Sequence, residues 1–193
     1  MVSIKGAALV VFQANTGSLV LKRFAGLETV TDTQLGMMPG TSPSVTTLKD
    51  KSFVIAFRAN TGNLWVTRGN PPVGIDTQLG MMESTSPSIA MLPGGGYVVA
   101  FQANTGVLGI NSNGTRSNWA DTNLGMMPGT SPCVGEILGL KNTHSVAFQA
   151  NTASLWLSPA YVQISHDTQL AMAPGTGPAM TRADFRLVED SGE

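Results

Sequence analysis

The side chains of this chain that could do chemistry come in sets of four. Gln13, Arg58, Gln102 and Gln149 occupy one recurring position, and Asn15, Asn60, Asn104 and Asn151 another, always two residues later. An amide donates and accepts in one plane, so equivalent copies could grip neighbouring hydroxyl groups or satisfy backbone groups at a turn. Trp65 and Trp156 share a third position, filled by Val20 and Gly109 in the other copies, while Trp119 stands alone two residues before Asp121. An indole offers a large apolar face and one N–H, which suits either a stacking platform or packing between repeats. With Asn63, at the start of the segment that carries Trp65, these tryptophans and the Gln/Arg set are the candidate ligand-binding residues.

Catalysis finds no comparable set. His144 and His166 are the only histidines, neither recurs, and both are expected in loops or at the surface. There is no Gly-x-Ser-x-Gly elbow. Asp32, Asp76, Asp121 and Asp167 recur one per copy without the dense oxygen spacing of a calcium loop, so their expected role is to accept backbone N–H bonds at a turn. Gly94-Gly95-Gly96 reads as a turn, since no Lys-Ser/Thr helix start follows it. The single cysteine, Cys133, allows no internal disulfide and no cysteine metal site; it aligns with Ser44, Ser88 and Ala179 and is expected to be a buried space-filler. Neither enzyme activity, nor a metal, nor a cofactor is expected.

Composition narrows the elements that must position these residues. Of 193 residues only 12% are charged, about half the share in an ordinary globular domain, while there are 22 Gly and 11 Pro. That balance favours strands and turns over exposed helices. A net charge of −1 with scattered basic residues argues against a nucleic-acid partner. The longest apolar stretch near the start, Ala7 to Phe12, is far shorter than the roughly 20 residues a membrane-spanning helix needs. Lys5 ahead of that stretch has a faint look of a secretion signal, but the stretch belongs to a repeat and is read as such.

The repeat sets the architecture. Phe12-Gln-Ala-Asn-Thr-Gly returns at Phe57, Phe101 and Phe148, at separations of 45, 44 and 47 residues. Asp32-Thr-Gln-Leu-Gly-Met-Met-Pro-Gly-Thr-Ser-Pro returns at Asp76, Asp121 and Asp167, and from each Asp to the proline ahead the spacing is always 11. Each copy reads as three to four short strands: one after the Pro, one ending at Phe-Gln, one after the Asn-Thr-Gly turn, and the Asp-Thr-Gln-Leu segment as a fourth strand or an ordered connector. In Val98-Val-Ala-Phe-Gln both faces are apolar, so this strand must be sandwiched. Met37, Met81, Met126 and Met172 are expected to fill gaps between repeats, and the second methionine of each pair to be partly exposed.

A unit of this size and content predicts an all-β fold, a small propeller of four blades of about 45 residues. The expected repeats are about 1–40, 41–84, 85–129 and 130–175, within one domain of residues 1–182 followed by a polar tail, 183–193. Met1 aligns with Ala90, so the first copy starts after its Pro strand. Residues 176–182 repeat that strand, and are expected to complete the first blade and close a ring of four within one chain. The alternative is two chains in a larger ring.

The run Thr41-Ser-Pro-Ser-Val with Phe53-Val-Ile-Ala-Phe-Arg-Ala-Asn-Thr-Gly-Asn-Leu-Trp resembles the blade motif of PLL-like and tectonin-like β-propellers, over residues 1–181. Those lectins commonly have more than four blades, and the Asp-Thr-Gln-Leu-Gly-Met-Met segment replaces their Trp-rich one. The resemblance implies a bacterial, secreted protein rather than a cytoplasmic one, with glycans as partners. The expected function is non-catalytic carbohydrate binding at several quasi-equivalent sites, by a monomer or small homo-oligomer. The alternative is a protein-interaction propeller, such as a subunit of a secreted toxin or surface-recognition assembly.

Overall fold

A computed structural model describes residues 8–24, 28–136, 144–159 and 165–181. Those residues form four antiparallel sheets, one per sequence repeat. The first holds β1 (Ala8–Gln13), β2 (Ser18–Phe24) and β3 (Thr29–Gly36). The second holds β4 (Ser44–Thr47), β5 (Phe53–Arg58), β6 (Asn63–Arg68) and β7 (Val73–Gly80). The third runs β8 (Ser88–Met91), β9 (Tyr97–Gln102), β10 (Val107–Ser112) and β11 (Trp119–Gly125). The fourth runs β12 (Cys133–Glu136), β13 (His144–Gln149), β14 (Ser154–Pro159) and β15 (His166–Ala171). Strand order within every sheet is chain order, a simple meander. The Asp-Thr-Gln-Leu segments are the outermost strands. Among the described residues the one helical element is a 310 turn at Arg116–Asn118.

The sheets stack face to face because their middle strands are apolar on both sides. Leu19, Leu21 and Met37 of the first sheet pack on Ile55, Phe57 and Ala59 of the second. Leu64, Val66 and Met81 then pack on Val99, Phe101 and Ala103, and Leu108, Ile110 and Met126 on Val146, Phe148 and Ala150. Each joint thus sets the phenylalanine of one sheet against an aliphatic pair of the sheet before it. Phe57, Phe101 and Phe148 are completely buried. Three of the four first methionines behave as their spacing predicts: Met37, Met81 and Met126 are buried in the joints, whereas Met172 is half-buried, as are Met38, Met82 and Met127.

Backbone bonds lock the joints at one end. The Met38 N–H donates to the Arg58 carbonyl (3.0 Å), Met82 to Gln102 (2.9 Å) and Met127 to Gln149 (3.0 Å). Returning from the next sheet, the Asn60, Asn104 and Asn151 N–H groups donate to Gly36, Gly80 and Gly125. A methyl group on Gly36 or Gly80 would lie 2.5 Å from the amide nitrogen of Asn60 or Asn104, so glycine lets those side chains lie close against the strand. Near the centre, β4 lies beside β8 and β8 beside β12. There the Ser44 hydroxyl accepts from Ile89 N–H (3.2 Å) and the Ser88 hydroxyl from Val134 N–H (3.0 Å).

The repeated aspartates do what the sequence suggests. Asp32, Asp76, Asp121 and Asp167 each accept from the N–H two residues on, at 2.7–2.8 Å. The threonine between donates to a carbonyl of the neighbouring strand, as Thr77 does to Leu64 (2.6 Å). The residue after it takes a positive φ (Gln34 58°, Gln78 58°, Asn123 56°, Gln169 60°), and the strand pairing shifts register there. The motif is therefore a built-in bulge of the outer strand.

Three expectations need revision. His144 is not a surface residue: it opens β13, is buried, and its Nε2 donates to the Met91 carbonyl. His166 is exposed, as expected. Cys133 is only half-buried. The first sheet has three strands among the described residues, and residues 176–181 are assigned to no strand, so no sheet is seen to be closed by them. Arg182 and the polar tail 183–193 lie outside the described residues.

Truncating a joint phenylalanine should remove the wedge that two sheets share. Phe101→Ala is expected to destabilise the fold by about 3–5 kcal/mol, the usual range for a buried aromatic. Urea denaturation followed by fluorescence measures it, and a loss under about 1 kcal/mol would mean the joint is not as described.

Candidate functional site

The amide set lies at the end of the sheets where the backbone joints are locked. Gln102 is fully buried; its Nε2 donates to the Met127 carbonyl (3.1 Å) and its Oε1 accepts from Gly129 N–H (3.1 Å). Gln149 is equally buried, and its Nε2 donates to the Met172 and Ala173 carbonyls. Gln13 is half-buried and donates to Met37 (2.9 Å). These bonds hold the connection from one outer strand to the next sheet. Arg58, in the second copy, is buried with Nε and Nη1 unpartnered among the described residues. The Asn60, Asn104 and Asn151 side chains are exposed and lie against Gly36, Gly80 and Gly125 of the sheet before. Asn63 donates to the Asp76 carboxylate at 3.2 and 3.3 Å.

The tryptophans are wedged between sheets. Trp65 sits 6.3 Å from Phe57, ring centre to ring centre, and over Gly74, with its Nε1 buried and unpartnered among the described residues. Trp156 sits 6.3 Å from Phe148, and its Nε1 donates to the Ser154 hydroxyl. Trp119 comes from the outer strand yet reaches the same place: it lies 5.3 Å from Phe101 in the space that Gly109 leaves open. The third sheet has thus moved its indole from one strand to the next while keeping the volume filled. All three are half-buried. The structure brings no two tryptophans together, and it does not group them with the Gln set.

The opposite end of the same strands is built differently. Arg23, at the end of β2, lies over the ring of Phe53, which starts β5 in the next sheet (5.1 Å). Arg68, at the end of β6, lies over Tyr97, which starts β9 (4.7 Å). A cation over an aromatic face at an exposed site contributes about 0.5–1 kcal/mol. In the third copy the pair becomes Ser112 and His144. The signal was present in the sequence as two arginines 45 residues apart and two aromatics 44 apart, but without the fold nothing showed that they meet across a joint.

Beside the Arg23–Phe53 pair opens a cleft of about 500 Å³ between the first and second sheets, lined by Ala8, Leu9, Arg23, Thr47, Lys51, Ser52, Phe53, Gly69 and Asn70. None of the sequence-nominated ligand residues lines it. Phe53 and Leu9 give it an apolar floor, while Arg23, Lys51, Ser52 and Asn70 bring polar groups to its walls. The Ser52 hydroxyl donates to Asp50 (2.6 Å), which leaves its lone pairs free to accept. That bond is also the main cause holding the exposed Asp50 carboxyl below its usual range, helped by the Ser52 N–H. Lys51 adopts φ 65°, the left-handed conformation that Gly95 takes at the corresponding turn of the third sheet. A residue with a side chain pays roughly 1–2 kcal/mol there. Among the described residues no three His, Cys, Asp or Glu side chains cluster as a metal site, and no helix is long and apolar enough to cross a membrane.

No protein-family model matches this chain, and no curated protein matches it in sequence. Solved structures do resemble it. AofleA from Arthrobotrys oligospora is 16% identical with a TM-score of 0.64, over 89% of this chain and 55% of that one. A triple arginine-to-alanine variant of AofleA gives 15% identity and a TM-score of 0.65, over 90% and 56%. The fungal lectin of Aleuria aurantia, described as a six-bladed β-propeller with a novel mode of fucose recognition, is 13% identical with a TM-score of 0.65, over 91% and 63%. At these identities the likeness shows the β-propeller fold alone. This chain spans little more than half the length of those structures.

Tyr97 offers a test of the arginine–aromatic pair. Burial pushes its phenol above the ordinary value, with Arg68 opposing. The folded protein therefore keeps this proton to higher pH than the unfolded chain, whose tyrosines titrate near pH 10. Stability from this group is complete below about pH 10 and falls as pH rises further. Tyr97→Phe should lose less stability than wild type between about pH 9 and 11. At neutral pH it should be at least as stable, because the Tyr97 hydroxyl is buried without a partner among the described residues. Thermal melts of both proteins across that range provide the comparison.

Proposed function

We propose that residues 1–182 form one β-propeller domain that binds carbohydrate without catalysis, at the cleft between the first two blades. The observation that carries the proposal is the composition of this cleft: an apolar floor of Phe53 and Leu9 under Arg23, with Lys51, Ser52 and Asn70 at its walls. A sugar ring has an apolar face and a rim of hydroxyls. Leu9 and the edge of the Phe53 ring left beside Arg23 would meet the apolar face, the arginine, lysine and Asn70 amide would donate to hydroxyl oxygens, and Ser52 would accept. Lys51 stands at a turn position that Gly95 fills in the third sheet, and so brings an ammonium group to the cleft that the other copy lacks. The resemblance to a lectin whose fucose recognition is described makes fucose the first sugar to try.

Trp65, Trp119 and Trp156 with the Gln/Arg58 set remain the competing placement, with one site per blade. Their burial in the joints and their bonds to backbone carbonyls favour a packing role. A protein-binding reading draws on a different surface, the exposed Val30, Val73 and Ile75 on outer strands β3 and β7.

Titration of fucose and a broad glycan panel by calorimetry separates these readings. Arg23→Ala and Lys51→Gly should each weaken binding roughly 10- to 150-fold, the loss of one charged hydrogen bond. Lys51→Gly should fold at least as stably as wild type, and Trp65→Ala should lower the melting temperature. Unchanged affinity in both cleft variants, with loss in a folded Trp65→Ala, would move the site to the tryptophans. No binding across the panel would leave the protein-binding reading.

A further inference from the structure

The described chain shows one unmatched half of a blade joint at each end. On the first sheet, Phe12 is 40% exposed and Val10 46%, whereas Phe57, Phe101 and Phe148 in the same position are 0%. On the fourth sheet, Leu155 and Leu157 are half-exposed where Leu64 and Val66 are buried. Leu170 is 62% exposed where Leu79 is 8%. The phenylalanine side of one joint and the aliphatic side of another are both open in the same molecule.

Residues 176–181 carry the strand that fits between them. At the inner edge of each internal joint, an N–H of one innermost strand donates to a side chain of the strand before: Ile89 to Ser44 (3.2 Å) and Val134 to Ser88 (3.0 Å). Met180 N–H donates to Cys133 Sγ at 3.2 Å, the next step of that series. The Met180 side chain also covers Gly135, where a methyl group would meet its Sδ at 2.7 Å. Ala179 and Met180 therefore lie beside β12 where the innermost strand of a further blade would sit. The first sheet, β1–β3, has the other three strands of a blade and no innermost strand among the described residues.

We propose that the two halves meet between copies of this chain: residues 176–181 of one copy pair with β1 of a second, and the Leu155–Leu157–Leu170 face of the first receives Phe12 of the second. The internal register fixes the pairing. Ser44 faces Ala56, Ser88 faces Ala100 and Cys133 faces Ala147, so Ala179 faces Val11 of the second copy. Continuity with the existing joints selects this occupant, since the matching half of each open face is one that this chain itself carries. A net charge of −1 sets little repulsion against association. Ala171 stands where the internal joints have Gly36, Gly80 and Gly125, so the Asn15 amide of the second copy must turn aside. That makes this joint looser than the internal ones, and reversible. The contact is head to tail, and it either closes into a ring or propagates.

Light scattering on the 193-residue chain after size-exclusion chromatography, over a hundredfold range of concentration, reads the outcome. The expected mass rises to at least twice the 20.1 kDa of one chain. Phe12→Asp and Leu170→Asp, on opposite open faces, should each return the protein to single-chain mass with an unchanged circular dichroism spectrum. In a Cys133→Ser background, Val11→Cys with Ala179→Cys should oxidise to covalent multimers on a non-reducing gel. A wild-type chain of single mass at every concentration would overturn the proposal. So would a Val11→Cys/Ala179→Cys bond that forms within one chain, or association that neither aspartate variant disturbs.

Discussion

Everything in this molecule depends on sheets that are apolar on both faces. A lone four-stranded meander with Val54, Ala56, Ile55 and Phe57 on opposite sides of one strand would expose a full hydrophobic layer to water. It becomes stable only when a neighbour covers each side. The phenylalanine of one sheet inserted against the aliphatic pair of the sheet before it is the unit of that cover. Full burial of such a side chain contributes about 1.5–3 kcal/mol, before the gain from the residues that close around it. Stability is thus shared between successive blades, and the blades at the ends are the ones whose faces remain to be covered.

The outer strands serve the same joints. The bulge formed by Asp76, Thr77 and Gln78, and its counterparts, anchors the outer strand through a threonine hydroxyl to the carbonyl of the strand inside it. After the bulge, Leu79 turns inward and Met81 enters the next joint; in the third sheet the equivalent connection passes to the following sheet held by the Gln102 side chain. Asp, Thr, Gln and Gly in this segment are therefore parts of one device for bending a strand and handing the chain on. None of them needs a ligand to account for it.

Much of this was legible in the sequence, because the repeat is a direct image of the joint. Four copies of Phe-Gln/Arg-Ala-Asn-Thr gave the number of sheets, the two apolar faces of Val98–Gln102 gave the sandwich, and the methionines gave the fillers. What stayed hidden was contact across joints. The pairing of Arg23 with Phe53 joins residues of different repeats, at positions that vary in type between copies, so neither periodicity nor local composition marks it. His144 was hidden for the same reason: it occupies the position of Phe53 and Tyr97, and only alignment to those aromatics, rather than its own chemistry, places it inside. Residues 176–181 were legible as a repeat of the innermost-strand motif, and the contact of Met180 with Cys133 is the one the repeat implies.

The exchange of Gly109 and Trp119 separates positions that serve the fold from positions free to serve a ligand. In the third sheet the indole leaves the strand position it holds in Trp65 and Trp156, and an indole from the adjacent strand returns to fill the same volume against Phe101. A site that needed a tryptophan in a set orientation toward solvent would not survive that change of strand, whereas a joint that needs the volume filled does. Compensation of this kind is the signature of packing. At the other end of the strands the copies differ without compensating: Lys51 stands strained where Gly95 sits easily, and Arg23 borders an open cleft while the hydroxyl of Tyr97 is closed in beside Gly114. Departures that cost stability and leave space are what a binding site requires. The cleft between the first two blades combines both, which is the ground for proposing the site there.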